Sequence, residues 1–331
     1  MSTSGEYSTI TKSTNASTGA IAGVAAIIVA VVFYFKKRRQ VEIDNNNDLN
    51  MSGIRPHRLE YSELSVTSKA ALAAGAFGEV WLGSYRSQPV AIKRLKSRDP
   101  KQVQMFINEI TLMATLESDY IVKFIGVSWT RPIEVVCIVE FMNLGDLRGY
   151  LATHSPDQYT WDQKHKCIVS IVEGLIYLHT CTPPIIHRDL KSRNILLDNV
   201  KGTKLTDFGI SKAVEDDENS LTSGIGTYQW MAPEVIASTK YSSAADVYSF
   251  GIVLSEFCTH QVPYSAMGPN GTSLSYLQVL KRVGEGKLTP SFGESSPAWV
   301  KEMAIQCLQL DPISRPSALQ LSETLRHLND H

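Results

Sequence analysis

The chain has 331 residues, 43% of them hydrophobic and 20% charged, the balance of an ordinary globular enzyme. A formal net charge of −1 excludes a globally basic nucleic-acid binder. The five cysteines (Cys137, Cys167, Cys181, Cys258, Cys307) are scattered and never form a CxxC pair, which argues for reduced thiols and against a disulfide framework or a zinc site.

Residues 1–18 are rich in Ser and Thr and too few to build a ligand-binding ectodomain. Residues 19–35 carry no charge and run into Lys36-Lys37-Arg38-Arg39. At about 1.5 Å per residue they span roughly 25 Å as a helix, slightly short of a ~30 Å hydrocarbon core. Ser17 and Thr18 can extend the helix, and the Lys and Arg stems can snorkel. Phe33, Tyr34 and Phe35 fall where an interfacial aromatic belt belongs. The expectation is a single transmembrane helix over 19–35. A cleaved secretory signal is the alternative, but its positive cluster would precede the apolar run. The cluster also sets orientation, with residues 1–18 outside and everything after Arg39 in the cytoplasm. Asn15-Ala16-Ser17 is a glycosylation triplet placed against the membrane. Gly19 and Gly23, with Ala22 and Ala26, form a GxxxG face through which two copies could pair as a homodimer.

Residues 36–58 are polar, contain an Asn run and read as a flexible juxtamembrane linker. From Leu59 to the end the pattern is that of one domain, 59–331. Residues 67–142 carry short strand-like runs such as Glu79-Val80-Trp81-Leu82 and Val90-Ala91-Ile92, with one helical stretch near 101–116. After Gly145 the pattern is mainly helical, and 163–180 is amphipathic. The fold class expected is α+β, with a small β-rich lobe (67–142) joined to a larger α-rich lobe (146–331).

Several short segments carry chemistry. Residues 73–80 (Ala73-Ala74-Gly75-Ala76-Phe77-Gly78-Glu79-Val80) place glycines between two strands, where backbone amides can close over phosphates without a Cβ in the way. Val90-Ala91-Ile92-Lys93 ends a strand on a lysine, and Glu109 follows sixteen residues later in the helical stretch. Cys137-Ile138-Val139-Glu140-Phe141-Met142 runs apolar into the connection between the lobes. His187-Arg188-Asp189-Leu190-Lys191-Ser192-Arg193-Asn194 is followed by Asp207-Phe208-Gly209. Together these two segments supply two carboxylates, a carboxamide and cations. Phosphoryl transfer needs a carboxylate to orient a hydroxyl, oxygen ligands for Mg²⁺, and positive charge near the moving phosphate.

These segments resemble the eukaryotic protein kinases. The resemblance implies a bilobal kinase fold that uses ATP and Mg²⁺ and acts on protein substrates. It assigns Asp189 as base or orienter of the substrate hydroxyl, Lys191 to the charge of the transferred group, and Asn194 and Asp207 as metal ligands. Lys93 and Glu109 would form an ion pair that holds the lysine towards the phosphates. The nucleotide would lie among Ala73, Gly75, Gly78, Val80, Ala91, Lys93, Val139 as gatekeeper, backbone groups of Glu140 and Met142, and Leu196. Ala73 stands where the family's first glycine belongs, which motivates a second reading as a pseudokinase binding module. His187 and Phe208 are expected to pack internally. Asp246, and Arg315 pairing with Glu234 of Ala232-Pro233-Glu234, match structural anchors.

The segment from Asp207 to Glu234 looks like an activation segment with hydroxyls at Ser211, Ser220, Thr222, Ser223, Thr227 and Tyr228. Arg188 beside the catalytic aspartate resembles kinases whose loop is ordered when phosphorylated. Lys191, and Gly226-Thr227 ahead of Ala232-Pro233-Glu234, favour serine or threonine hydroxyls and look most like the tyrosine-kinase-like group. Ile210 leans towards threonine. A dual-specificity or tyrosine kinase is the alternative.

Overall fold

The computed structural model describes residues 49–75, 78–208, 228–238, 241–265 and 274–328. Its first lobe is an antiparallel sheet with spatial order β1 (Leu64–Val66), β3 (Gly78–Tyr85), β4 (Gln88–Leu95), β6 (Val136–Glu140) and β5 (Phe124–Ser128); β2 (Ala73–Ala74) pairs with β3. β3 and β4 pair without a break from Gly78↔Leu95 to Tyr85↔Gln88. Arg86 and Ser87 close that hairpin with φ of 48° and 63°, the left-handed pair that matches the twist of a two-residue turn.

Helix α1 (Pro100–Met113) crosses this lobe. Proline at its first turn follows Asp99, and Val103, Phe106, Ile107 and Ile110 recur on one face and are all buried. The sequence places residues 36–58 in a linker, but from Leu49 onward the chain packs on the first lobe. Leu49, Met51 and Ile54 are buried in the main core with the apolar face of α1. An apolar residue at every second or third position among polar ones has no clear period, so the burial was not visible in the pattern.

The second lobe is helical: α2 (Leu147–Thr153), α3 (Trp161–Thr180), α4 (Pro233–Ser238), α5 (Ser243–Thr259), α6 (Tyr276–Gly284), α7 (Ala298–Cys307) and α8 (Ala318–His327). Thr160 and Gln163 form a reciprocal cap that starts α3. α5 is buried nearly all round, the mark of a helix at the centre of a lobe. A three-stranded sheet, β7 (Gly145–Asp146), β8 (Ile195–Asp198) and β9 (Gly202–Leu205), lies where the lobes meet. Val122 donates to the Leu205 carbonyl (2.9 Å) and Leu205 to the Tyr120 carbonyl (2.8 Å), tying the lobes through backbone. Among the described residues no helix is long and apolar enough to cross a membrane; residues 19–35 lie outside them, as does the GxxxG face.

Candidate active site

Two strands and one helix build the first half of the site. Lys93 on β4 lies opposite Val80 of β3 and Cys137 of β6. Its Nζ is 2.7 Å from Glu109 Oε1 on α1 and 2.9 Å from Asp207 Oδ1. Burial alone would lower the Lys93 pKa, but the Asp207 and Glu109 carboxylates outweigh it and hold the ammonium well above its ordinary range. Lys93 is therefore a fixed positive charge. Asp207 adopts a left-handed φ of 55°, an uncommon conformation for a residue with a Cβ, and makes this contact with its side chain partly exposed.

The second half hangs from α5. Asp246 accepts backbone N–H bonds from His187 (2.7 Å) and Arg188 (2.9 Å), and its carboxylate also lies 2.9 Å from His179 Nε2. Those bonds hold Arg188 at a φ of 64°. Asp189 is thereby presented beside two partners. Lys191 Nζ donates to its Oδ2 at 2.8 Å, and Asn194 Nδ2 donates to its carbonyl (2.8 Å) and to Oδ2 (3.0 Å). With both hydrogens of its amide turned to Asp189, Asn194 keeps its oxygen as the acceptor. The Thr206 amide donates to the Asn194 carbonyl at 3.0 Å, which couples this loop to the segment carrying Asp207.

His187 is fully buried, with its ring edge-on to Phe208 at 6.2 Å between centroids. Desolvation depresses its pKa against the pull of Asp246 and Asp189, so it is neutral, and its Nδ1 accepts weakly from the Asp189 amide at 3.4 Å. Both His187 and Phe208 pack internally, as expected.

On the nucleotide side, Ala73 sits exposed in β2 opposite Val80, in extended backbone that any residue adopts. The Gly75 amide donates to the Gly78 carbonyl at 2.9 Å, closing the loop whose tip (76–77) lies outside the described residues. A Cβ on Gly78 would lie 2.7 Å from the Arg94 carbonyl, whereas one on Gly75 would meet nothing. Ala91 and Val139 are paired across β4 and β6, and half-buried Leu196 on β8 lies opposite Asp146 and Lys204. Met142 is buried, and its carbonyl accepts from Gly145 at 3.3 Å. The Glu140 N–H is already committed to the Lys123 carbonyl (3.0 Å), and its carboxylate accepts from the Lys123 amide (2.7 Å) and from Lys204 Nζ (2.8 Å). The resemblance expects backbone groups of Glu140 and Met142 to face a base, and in Glu140 the N–H is not one of them.

Arg315 and Glu234 form the expected anchor as a two-pronged pair at 2.7 and 2.8 Å. Gly209 and the activation-segment residues Ile210, Ser211, Ser220, Thr222, Ser223, Gly226 and Thr227 lie outside the described residues.

One site residue escaped the sequence reading. Glu256 on α5 is fully buried and accepts from Ser192 Oγ (2.6 Å) and from Trp230 Nε1 (2.9 Å), with Arg148 Nη1 at 4.0 Å. It clasps the loop of Asp189 to the segment before Ala232-Pro233-Glu234. Desolvation pushes its carboxyl up to about 7 against the Ser192 and Trp230 hydrogen bonds. The available signal was a lone acid inside the apolar run Gly251-Ile252-Val253-Leu254-Ser255-Glu256-Phe257-Cys258.

Residues 66–325 match the family described as protein tyrosine and serine/threonine kinase. Curated relatives include a probable serine/threonine-protein kinase, drkA, of Dictyostelium discoideum, 35% identical over 260 residues (78% of this chain and 39% of the relative). The serine/threonine-protein kinases STY17 and STY46 of Arabidopsis thaliana are 32% and 34% identical, over 85% and 78% of this chain and 47% and 43% of their own lengths. The chain thus spans less than half the length of these relatives.

Proposed function

The chain belongs to the protein tyrosine and serine/threonine kinase family, and from that premise we propose that it is an ATP-dependent serine/threonine kinase of the tyrosine-kinase-like group, anchored at the inner face of a membrane. The observation that carries the catalytic reading is the meeting of Lys93, Glu109 and Asp207 within hydrogen-bond distance, beside a loop that fixes Asp189, Lys191 and Asn194. The residues suit ATP and a divalent cation such as Mg²⁺: Lys93 is a permanent cation, and the oxygens of Asp207 and Asn194 are hard ligands. Asp207 and Asn194 would hold the cation, which would supply charge neutralisation to the phosphates.

The protein's own groups would do the rest. Lys93, steered by Glu109, holds the phosphates. Asp189, fixed by Asn194, orients the hydroxyl of the protein substrate and accepts its proton, and Lys191 offsets charge on the group in flight. Lys191 and Thr227 favour serine and threonine substrates, and the relatives' designation as serine/threonine-protein kinases supports this. Ala73 lies exposed on extended backbone that alanine adopts without strain, which supports the catalytic reading over a pseudokinase module.

Anchoring rests on the uncharged run 19–35 and on Lys36-Lys37-Arg38-Arg39, which also point the catalytic domain to the cytoplasm. Pairing of two copies through Gly19 and Gly23 is part of the same proposal. Full-length protein incubated with Mg²⁺-ATP and a peptide library is expected to yield phosphoserine and phosphothreonine, and Asp207→Ala to abolish both. Equal, negligible turnover in the two proteins would refute the enzyme reading, and phosphotyrosine alone would refute the substrate class. Retention in the membrane fraction after alkaline carbonate washing checks the anchor.

A further inference from the structure

Residues 49–59 run across two elements that the active site depends on. At one end, the Asn50 amide donates to Gln104 Oε1 at 2.8 Å, and Gly53 sits so close to Thr111 that a Cβ would be 2.6 Å from its methyl carbon. Gln104 and Thr111 are seven residues apart on α1, hence on one face. At about 100° per residue, Glu109 lies roughly 200° round the helix from Thr111 and 140° from Gln104. The strap therefore lies behind α1, and Glu109 points from the other side toward Lys93.

At its other end the segment is pinned to β5, the edge strand of the sheet. Leu59 donates to the Val127 carbonyl at 2.8 Å, and Arg58 donates to the Trp129 carbonyl at 2.9 Å with its guanidinium 4.4 Å from the Trp129 ring centroid. A Cβ on Gly126 would be 2.6 Å from Leu59, so glycine there is what lets the strap approach. Between the two ends, Leu49, Met51 and Ile54 are buried, Ile54 completely.

We propose that residues 49–59 are a positioning strap for phosphoryl transfer, which braces α1 against the sheet and so sets Glu109 against Lys93. The proposal rests on the kinase reading. Its physical logic is that the Lys93–Glu109 contact joins a strand to a helix whose opposite face would otherwise be open to water. A helix packed on one face only can shift as a body, and a shift of about 1 Å at a catalytic ion pair can cost on the order of a hundredfold in rate. Asn50, Gly53 and Ile54 act through Glu109 and touch no reacting atom.

The test uses the full chain with Ile54→Glu, Gly53→Ala, Thr111→Ala and the double variant Gly53→Ala/Thr111→Ala. Turnover of Mg²⁺-ATP with a peptide substrate is measured beside amide hydrogen exchange. Ile54→Glu and Gly53→Ala are expected to lower kcat/KM at least tenfold and to speed exchange over residues 101–113, leaving 164–178 unchanged. Thr111→Ala removes both atoms that the new Cβ would strike, so the double variant is expected to recover most of the lost activity. The Gly53 pair decides the matter if Ile54→Glu does not fold. Faster exchange with unchanged kcat/KM, unchanged exchange, or no recovery in the double variant would each overturn the proposal. A wild-type chain without turnover would refute the kinase reading instead, and exchange over 101–113 would still decide whether the strap holds the helix.

Discussion

Lys93 Nζ lies 2.7 Å from Glu109 Oε1, a contact that spans the sheet and α1 and fixes both elements at one point. Lys93 also faces Asp207, so its removal would leave two carboxylates opposed in a half-buried space. Lys93→Met is expected to reduce kcat about 10²- to 10³-fold, the range for losing one preorganised charge at a reacting centre. Glu109→Gln keeps the shape and loses the charge, so it is expected to lower kcat/KM roughly 10- to 100-fold, since hydrogen bonds to charged groups contribute about 1.5–3 kcal/mol. Steady-state kinetics checks both; wild-type values in Glu109→Gln would mean that the pair is merely structural.

The glycine-rich loop yields a graded series. Gly78→Ala would drive a Cβ to 2.7 Å from the Arg94 carbonyl, a backbone atom that cannot step aside, so it is expected to cost about 1–3 kcal/mol and to raise KM for ATP. Gly75→Ala meets no protein atom, so its stability is expected within about 1 kcal/mol of wild type. Any rise in KM for ATP in that variant would then report a clash with nucleotide. Ala73→Gly is expected to change KM for ATP by less than about threefold. A large fall in KM there would show that Ala73 does obstruct binding. Urea melts and ATP titrations separate these outcomes.

Much of this site was legible in the sequence because its chemistry is local. Asp189, Lys191 and Asn194 lie within one six-residue span, and backbone turns alone bring them together. Lys93, Glu109 and Asp207 are far apart in sequence; the resemblance implied the Lys93–Glu109 pair, and the Lys93–Asp207 contact came from the structure alone. What escaped has a common cause. Glu256 and the strap residues Leu49, Met51 and Ile54 owe their roles to burial by distant elements, and neither a single acid nor an irregular apolar triplet has a period that betrays its partner. The Glu140 amide is engaged by the Lys123 carbonyl, just ahead of β5, a contact between residues 17 apart that no local pattern announces.

Arg315 in the helical lobe has a fully buried guanidinium, and Glu234 receives it through both oxygens. It also donates to the carbonyls of Gln309, Leu310 and Ala244. Arg315→Ala takes the buried guanidinium away from Glu234 and three carbonyls, so it is expected to cost about 3–5 kcal/mol of stability. Arg315→Lys cannot form the fork and is expected to lie between the two. Chemical denaturation checks the order; an Arg315→Lys protein as stable as wild type would count against the two-pronged geometry.

Glu256 gives the pH dependence. Its carboxyl is raised from an ordinary 4.5 to about 7 in the folded chain, so the folded state binds a proton there more tightly than the unfolded one. A group raised in this way contributes its full stability below the unfolded value of 4.5, and that contribution is lost as pH rises through about 7. At about 1.4 kcal/mol per pH unit the loss amounts to roughly 3 kcal/mol. Glu256→Gln mimics the protonated form. Its amide oxygen can accept from Trp230 Nε1, and the Ser192 hydroxyl can rotate to accept from its NH₂, while the Ser192 N–H loses its acceptor. The variant is therefore expected to keep a stability that does not change between pH 5 and 8, while the wild type falls by up to about 3 kcal/mol over the same range. Because the Ser192 hydroxyl holds the loop that presents Asp189, kcat of the wild type is also expected to change between pH 6 and 8 with a component that Glu256→Gln abolishes. Urea unfolding at each pH, beside the kcat profile, measures both effects. Parallel stability curves for the two proteins from pH 5 to 8 would show that Glu256 does not titrate in that range.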